Sequence, residues 1–250
     1  LCGLLKPNIK IPGAEVAGRV EAIGQNVTKF QPGDAVYGDI SECGFGGFAE
    51  YVCVSETALT LKPENMGYAE AAALPHAAML AVQGLIDEGQ LQPEQSILIN
   101  GAGGGVGTLA VQIACEMGVD EITGVDCASK FDLMRSVGFT HVLDYNQTDF
   151  TQSAQHYDLI FDVKTNRSIL SYLRVLNTEG TYVTVGGMTA RLVQTLLLRL
   201  FIRRFTKKDV RLVGLKPNKD IAYINQLFEA GKVKPVIDGP YSLSEVPKLL

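Results

Sequence analysis

The segment Asn100-Gly101-Ala102-Gly103-Gly104-Gly105-Val106-Gly107 constrains the fold of this chain more than any other. It follows an apolar run at 96–100 that reads as a short strand. It precedes 108–117, where Leu109, Ile113 and Met117 recur at helical spacing. Glycines let such a turn close tightly and let a diphosphate approach the backbone without a Cβ in the way. A helix starting near Val106 aims free N–H groups and its positive end at those phosphates. Gly107 allows the helix to pack close to the strand. The string reads Ala102-x-Gly104-x-x-Gly107, not a strict G-x-G-x-x-G. Its context supplies the specificity: a second strand, 122–126, ends in Asp126 where a dinucleotide turn expects its acidic residue. A carboxylate there can accept two hydrogen bonds from an adenosine ribose and favours NAD. Ser129 and Lys130, just beyond, can hold a 2′-phosphate and favour NADP. The residues alone leave both open.

Strand and helix patterns alternate on either side of this turn. After 122–126 come a helix at 130–137, strands at 141–143 and 159–163, a helix at 168–176 and a strand at 181–185. A long helix at 191–205 and a strand at 210–213 follow. This rhythm predicts a doubly wound parallel sheet with helices on both faces. Runs such as Ile97-Leu98-Ile99 and Leu159-Ile160-Phe161 are apolar throughout, as strands buried on both sides are. The region before 62 is different. Short β-branched runs at 15–23, 35–37 and 49–54 lie between Gly, Pro and Asp. Residues 68–85 are rich in Ala, Leu and Met and predict buried helices interrupted by Pro75. A last helix is expected at 220–230. The tail, with Pro235, Pro240 and Pro247, leaves the repeat and is read as returning to the first region.

The 250 residues, 46% hydrophobic and 20% charged, suit one large or two modest domains. A net charge of −5 gives no general attraction to nucleic acid or anionic membranes. The chain opens on Leu1 and closes on Lys248-Leu249-Leu250, ends expected of a segment cut from a longer chain. No signal peptide is read at its start. Cys2, Cys43, Cys53, Cys115 and Cys127 are odd in number and lack C-x-x-C spacing. They are read as reduced, buried thiols in a cytoplasmic protein rather than disulfides or a zinc knuckle. Arg191, Arg199, Arg203, Arg204, Lys207, Lys208 and Arg211 form a basic stretch, read as the solvated end of a helix in preference to a surface for RNA or anionic membrane. Leu192, Leu196, Leu197 and Leu200 within it suit a substrate mouth or a subunit contact. The apolar stretch at 192–202 is broken by Arg199 and is too short to span a membrane.

Several motifs occur in one order: Pro12-Gly13-Ala14-Glu15-Val16-Ala17-Gly18, Gly33-Asp34-Ala35-Val36-Tyr37-Gly38, Gly47-Phe48-Ala49-Glu50-Tyr51, Ala71-Ala72-Ala73-Leu74-Pro75, the glycine turn, Asp144-Tyr145, and Gly231-Lys232-Val233-Lys234-Pro235-Val236-Ile237. Over nearly the whole chain they resemble the medium-chain dehydrogenase/reductases, nearest the zinc-free quinone oxidoreductase branch. The resemblance implies a partial GroES-like β-rich catalytic domain at 1–78, a Rossmann domain at 79–213 and a return segment at 214–250. It implies zinc-independent hydride transfer from NAD(P)H to a quinone, enone or related carbonyl compound, with NADP(H) favoured over NAD(H), and a homodimer. By the same resemblance Gly103, Gly104, Gly105 and Val106 meet the diphosphate. Asp126, Ser129, Lys130 and Tyr145 surround the adenosine end. Gly186, Gly187, Gly214 and Leu215 approach the nicotinamide. No zinc is expected: Ala14-Glu15 stands where the zinc branch has His-Glu, only Cys43 lies near its cysteine lobe, and His76, His141 and His156 are scattered. Catalytic residues are not assigned; Tyr37 and Tyr51 are candidate proton donors by type alone, and structural roles suit them better. The chain departs from the family at Ala77, Ala78 and Leu80, where a small-residue pair and a Thr are usual, and at Lys164 and Thr165, where a Val-Gly step is usual. These departures motivate the alternative of a catalytically weak or inactive NADPH-binding regulatory protein.

Overall fold

The computed structural model describes residues 9–249. The chain divides into two compact units, one running to Met79 and resuming at Lys216, the other spanning Leu80–Leu215.

In the first unit β1 (Glu15–Arg19), β2 (Ala35–Asp39) and β3 (Thr60–Leu61) form an antiparallel sheet in that order. Val36 and Tyr37, adjacent in β2 and so on opposite faces, are both buried, as is Ile40 just past its end. Helix α1 (Tyr68–Ala73) packs on β1 and β2. Helix α2 (Pro75–Val82) begins at its proline, as expected: the missing N–H falls in a first turn that leaves such groups unpaired anyway. The run at 49–54 is not a strand. It pairs with no other strand among the described residues, and an alternating pattern stays irregular without a ladder to satisfy its backbone.

The second unit takes in the last turn of α2 and continues with a π-helical turn, Gln83–Glu88, pressed against the sheet. A Cβ on Gly84 would stand 2.2 Å from the Phe161 ring. Then follow β4 (Ile97–Asn100), α3 (Gly105–Glu116), β5 (Ile122–Asp126), α4 (Phe131–Ser136), β6 (His141–Asp144), β7 (Tyr157–Asp162), α5 (Ile169–Tyr172), β8 (Leu176–Thr184), α6 (Thr189–Phe205) and β9 (Asp209–Leu212). All six strands are parallel, in the order β6-β5-β4-β7-β8-β9. The chain winds outward from β4 in one direction and from β7 in the other. Between them lies the switch point at which doubly wound sheets open a crevice beyond their carboxyl ends. Ile97, Leu98, Ile99, Ile160 and Phe161 are fully buried, as two-sided coverage requires. Helix α5 is shorter than the expected 168–176, because strand β8 already begins at Leu176 beside Tyr157. The first unit then resumes with α7 (Ile221–Glu229), whose Ile224, Leu227 and Phe228 are buried, and α8 (Val246–Leu249).

Cys43, Cys53 and Cys115 are exposed and Cys127 is half-buried, all with free thiols, so the expected burial of these cysteines does not hold. Packing rather than residue type decides this: Cys43 ends a short 3-10 turn at the surface, Cys53 sits on an irregular surface segment, and Cys115, near the end of α3, is exposed with its sulfur 3.8 Å from Gly138 O. Cys2 lies outside the described residues.

A buried polar cluster joins the strand ends at the switch point. Asp162, fully buried, accepts hydrogen bonds from Asn100 Nδ2 (2.8 Å), Tyr182 OH (2.7 Å), Lys164 N (3.0 Å) and Thr165 N (2.9 Å). Asp162→Ala would strand these donors in the core. A loss of about 3 kcal/mol is expected from removing one acceptor of several buried donors. Denaturant unfolding of the wild type and the variant measures it; a change below about 1 kcal/mol would show that water replaces the carboxylate.

Candidate cofactor site

The glycine turn leaves β4 and enters α3. Gly101 has φ +89°, a conformation side chains avoid, and a Cβ on Gly107 would stand 2.4 Å from Gly101 O and 2.6 Å from Ala102 O. Only glycine at 107 lets α3 start this close to the strand. Gly104 caps the helix with no side chain to offer, and its own N–H turns back to Gly101 O at 3.3 Å. Thr108 N is the first amide to bond back into the helix, to Gly104 O. The amides of Gly105, Val106 and Gly107 belong to the first turn, whose donors have no partner within a helix. The dipole adds positive potential at the same place.

Asp126, at the carboxyl end of β5, is drawn into this turn. Its Oδ2 accepts from Gly103 N at 2.9 Å and its Oδ1 from Cys127 N at 2.9 Å, with Lys130 Nζ 3.4 Å from Oδ1. Burial opposes its charge, but the two amides and the lysine outweigh burial and hold its pKa below the ordinary carboxylate value. Lys130 lies over the turn: a Cβ on Gly103 would stand 2.4 Å from Lys130 Cδ. Ser129 is exposed beside it, its hydroxyl 3.1 Å from Cys127 Sγ. Tyr145, at the end of β6, is exposed, and its N–H meets Asp126 O at 3.3 Å. Gly103, Asp126, Ser129, Lys130 and Tyr145 thus gather at the carboxyl ends of β4, β5 and β6.

The other flank begins at β7. Lys164 and Thr165 turn out of the strand, with Thr165 at φ +42° and buried. Its hydroxyl reaches Gly186 O at 2.6 Å and Thr184 Oγ1 at 2.5 Å. Gly187, φ +136°, lies so close that a Cβ would meet Lys164 O at 2.0 Å. The aliphatic chain of Lys164 runs beside Gly101, its Cγ and Cε 3.1 and 3.2 Å from where a Cβ on that glycine would be. The side chain is exposed, and its ammonium has no ion pair among the described residues. The sequence marks Lys164 only as a departure from a pattern; its place at the switch point emerges from the pairing of β4 with β7. Gly186 and Gly187 follow β8, while Gly214 and Leu215 follow β9, three strands across from β4. They do not gather with the glycine turn but continue the same edge of the sheet.

In the first unit, His76 Nδ1 lies 2.8 Å from Asp39 Oδ2, and His76 N donates to Glu15 Oε1 at 2.9 Å. The hydrogen bond to Asp39 raises the His76 pKa despite partial burial, and the Asp39 and Glu15 charges add to it. Among the described residues no group of three or more His, Cys, Asp or Glu is arranged to hold a metal ion. Tyr37 is fully buried with its hydroxyl on Asn225 Oδ1, whereas Tyr51 is 75% exposed. Leu80 is buried in α2 and brings no hydroxyl to that position.

Residues 3–64 match the alcohol dehydrogenase GroES-like domain, and residues 137–248 match the family described as zinc-binding dehydrogenase. A chloroplastic quinone-oxidoreductase, QR1, of Triphysaria versicolor is 31% identical over 244 residues, covering 94% of this chain and 73% of that protein. The chain belongs to the medium-chain dehydrogenase/reductases, in the zinc-free quinone oxidoreductase-like branch. A chloroplastic NADPH-dependent alkenal/one oxidoreductase of Arabidopsis thaliana is 31% identical over 247 residues, covering 94% of this chain but only 58% of its own length. This chain therefore spans somewhat over half of that relative. The quinone oxidoreductase structure from Coxiella burnetii superposes with a TM-score of 0.84 at 24% identity, covering 95% of this chain and 74% of that one, and shows the same fold. The two units are accordingly a GroES-like domain and a Rossmann domain. No described helix is long and apolar enough to cross a membrane.

The glycines divide into two kinds. Gly107→Ala forces the backbone apart and should cost about 1–3 kcal/mol of stability as an overpacked contact. Gly104→Ala meets only Gly101 O, at 3.5 Å, an ordinary contact, and should leave stability within about 0.5 kcal/mol. Paired thermal and denaturant melts test this; equal stability of the two variants would contradict the packing argument.

Proposed function

We propose that this protein binds NADPH along the carboxyl edge of the Rossmann sheet and reduces electron-poor enones or quinones. The observation that carries the reading is the uncapped first turn of α3, set behind glycines that admit a diphosphate and flanked by two lysines. Gly103, Gly104, Gly105 and Val106 hold the diphosphate. Ser129, Lys130 and Tyr145 hold the adenosine end, and Gly186, Gly187, Gly214 and Leu215 line the nicotinamide end. Preference for NADP over NAD rests on Lys130 and Ser129: Asp126 holds the lysine over the turn, 3.4 Å from Oδ1, and with exposed Ser129 beside it this cation can hold a 2′-phosphate. Once bound, the cofactor supplies a hydride. The protein's part is to orient the nucleotide and shield the reacting carbon from water. No zinc is assigned, since Ala14 cannot ligate a metal and Glu15 is engaged by His76. The names of the two relatives, an alkenal/one oxidoreductase and a quinone-oxidoreductase, agree with electron-poor acceptors.

Fluorescence titration should give NADPH an affinity at least about tenfold above NADH, the advantage of one charge-assisted phosphate contact. Mixing with a panel of enones and quinones should then oxidise NADPH. Lys164→Gln should weaken NADPH several-fold, and adenosine 2′,5′-bisphosphate, which carries only one phosphate of the diphosphate, by less. Failure of both reduced nucleotides to bind would end the reading. Unchanged affinity of both ligands would remove Lys164 alone from the site.

We also propose a homodimer through β9. This strand is the edge of the Rossmann sheet and leaves backbone groups on its outer side for a two-fold copy. Light scattering after size exclusion should report twice the 27.0 kDa chain mass; a monomer at all concentrations would exclude it.

A further inference from the structure

Helix α6 turns its most apolar face away from the sheet. Val193, Leu196, Leu197, Leu200, Phe201 and Phe205 recur at helical spacing, and each is between 49% and 75% exposed. The inward face is carried by Thr195 and Ile202, both buried, and by Leu198 against the core, with β9 and α5 beneath. Leu200 and Leu197 each lie five positions from one of the buried pair, about 140° round the helix. A helix on a water-exposed surface normally presents charge in that direction.

The charge that α6 carries is all of one sign. Between 189 and 208 there are six Arg or Lys residues and no Asp or Glu, in a chain whose net charge is −5. Arg199 and Arg203 border the apolar stripe, Arg204 lies within it, and Lys207 and Lys208 follow its end. Lys207 reaches Glu179 at 3.3 Å, an exposed pair that holds it only weakly.

We propose that the outer face of α6 lies on an anionic lipid bilayer, with its leucines and phenylalanines in the headgroup boundary and its arginines on the lipid phosphates. An apolar stripe rimmed by cations is the pattern of a helix lying in the plane of the interface. The charge argues against a second copy on this face, since two such stripes would bring Arg199, Arg203 and Arg204 of each copy together, with only Asp209 and Glu88 in the groove beside Arg203 to offset them. The apolar residues argue against nucleic acid, which would engage the cations and leave Leu197 and Leu200 wet. The proposal is independent of the reductase reading.

The whole chain serves as the sample. It should co-sediment with phosphatidylcholine vesicles containing about 30% phosphatidylglycerol and bind pure phosphatidylcholine about tenfold less. Raising NaCl from about 0.1 to 0.5 M should release most of it. Leu197→Ser with Leu200→Ser, and separately Arg203→Gln with Arg204→Gln, should each cut binding about tenfold. Their oligomeric state and unfolding midpoint should stay those of the wild type. The chain has no tryptophan, so Leu197→Trp supplies a lone reporter whose emission should shift to the blue on anionic vesicles. Wild-type protein that ignores both kinds of vesicle, or an indole reporter at position 197 that stays wet, overturns the proposal. So does a serine variant that dissociates a dimer, which would assign the face to a second copy. An RNA gel shift without vesicle binding would assign it to nucleic acid instead.

Discussion

Four donors meet the Asp162 carboxylate at the place where the Rossmann sheet reverses its winding. A buried charge is tolerable only when its lone pairs are filled, and unpaired donors facing it would cost as much. The residues around it therefore have one low-energy arrangement. Asn100 fixes the end of β4, Tyr182 the interior of β8, and the amides of Lys164 and Thr165 the turn out of β7. Burial and the Asp162 charge push the pKa of Tyr172 and of Tyr182 far up, so both remain hydroxyl donors at any physiological pH. The crevice in which a dinucleotide lies across such a sheet is thus bordered by loops tied to one buried atom group, and its shape follows from the core.

Asp126 repeats the device one strand to the other side. Its carboxylate takes the Gly103 amide and leans on Lys130, so the glycine turn is braced from β5 as well as from α3. A residue that its position marks as a ribose ligand also braces the turn. Asp126 and Lys130, which argue opposite ways in the sequence, are ion-pair partners here, and the aspartate holds the lysine over the turn.

Much of this architecture was legible because it rests on local pattern. The alternation of strands and helices, the two-sided apolar strands and the glycine turn each follow from residues close together in the chain. The parts that were not legible depend on partners distant in sequence. The run at 49–54 has strand composition but no ladder. Residues 173–176 could have extended a helix, but Val175 O accepts from Tyr157 N and draws the segment into the sheet. Lys164 gained meaning only when β7 was seen beside β4. The outward apolar face of α6 was half legible: its leucines and arginines were evident, but not which side of the helix the sheet would cover.

The departures from the family bear on whether the site still works. At the usual Val-Gly step, this chain places Lys164 and Thr165. Thr165 sits at φ +42°, where glycine would rest without strain and a β-branched residue costs about 1–3 kcal/mol. Its amide on Asp162 and its hydroxyl on Thr184 and Gly186 offset that strain, so the substitution is built into the strand ends and does not disrupt them. Leu80 removes a hydroxyl, whose single neutral hydrogen bond is worth about 1 kcal/mol. Lys164 adds a cation beside Gly101 that has no ion pair among the described residues, and a charge-assisted contact to phosphate is roughly twice as strong as a neutral one. On the proposed reading the exchange favours retention of the cofactor, and these changes relocate part of the grip from a nicotinamide-side hydroxyl to the diphosphate.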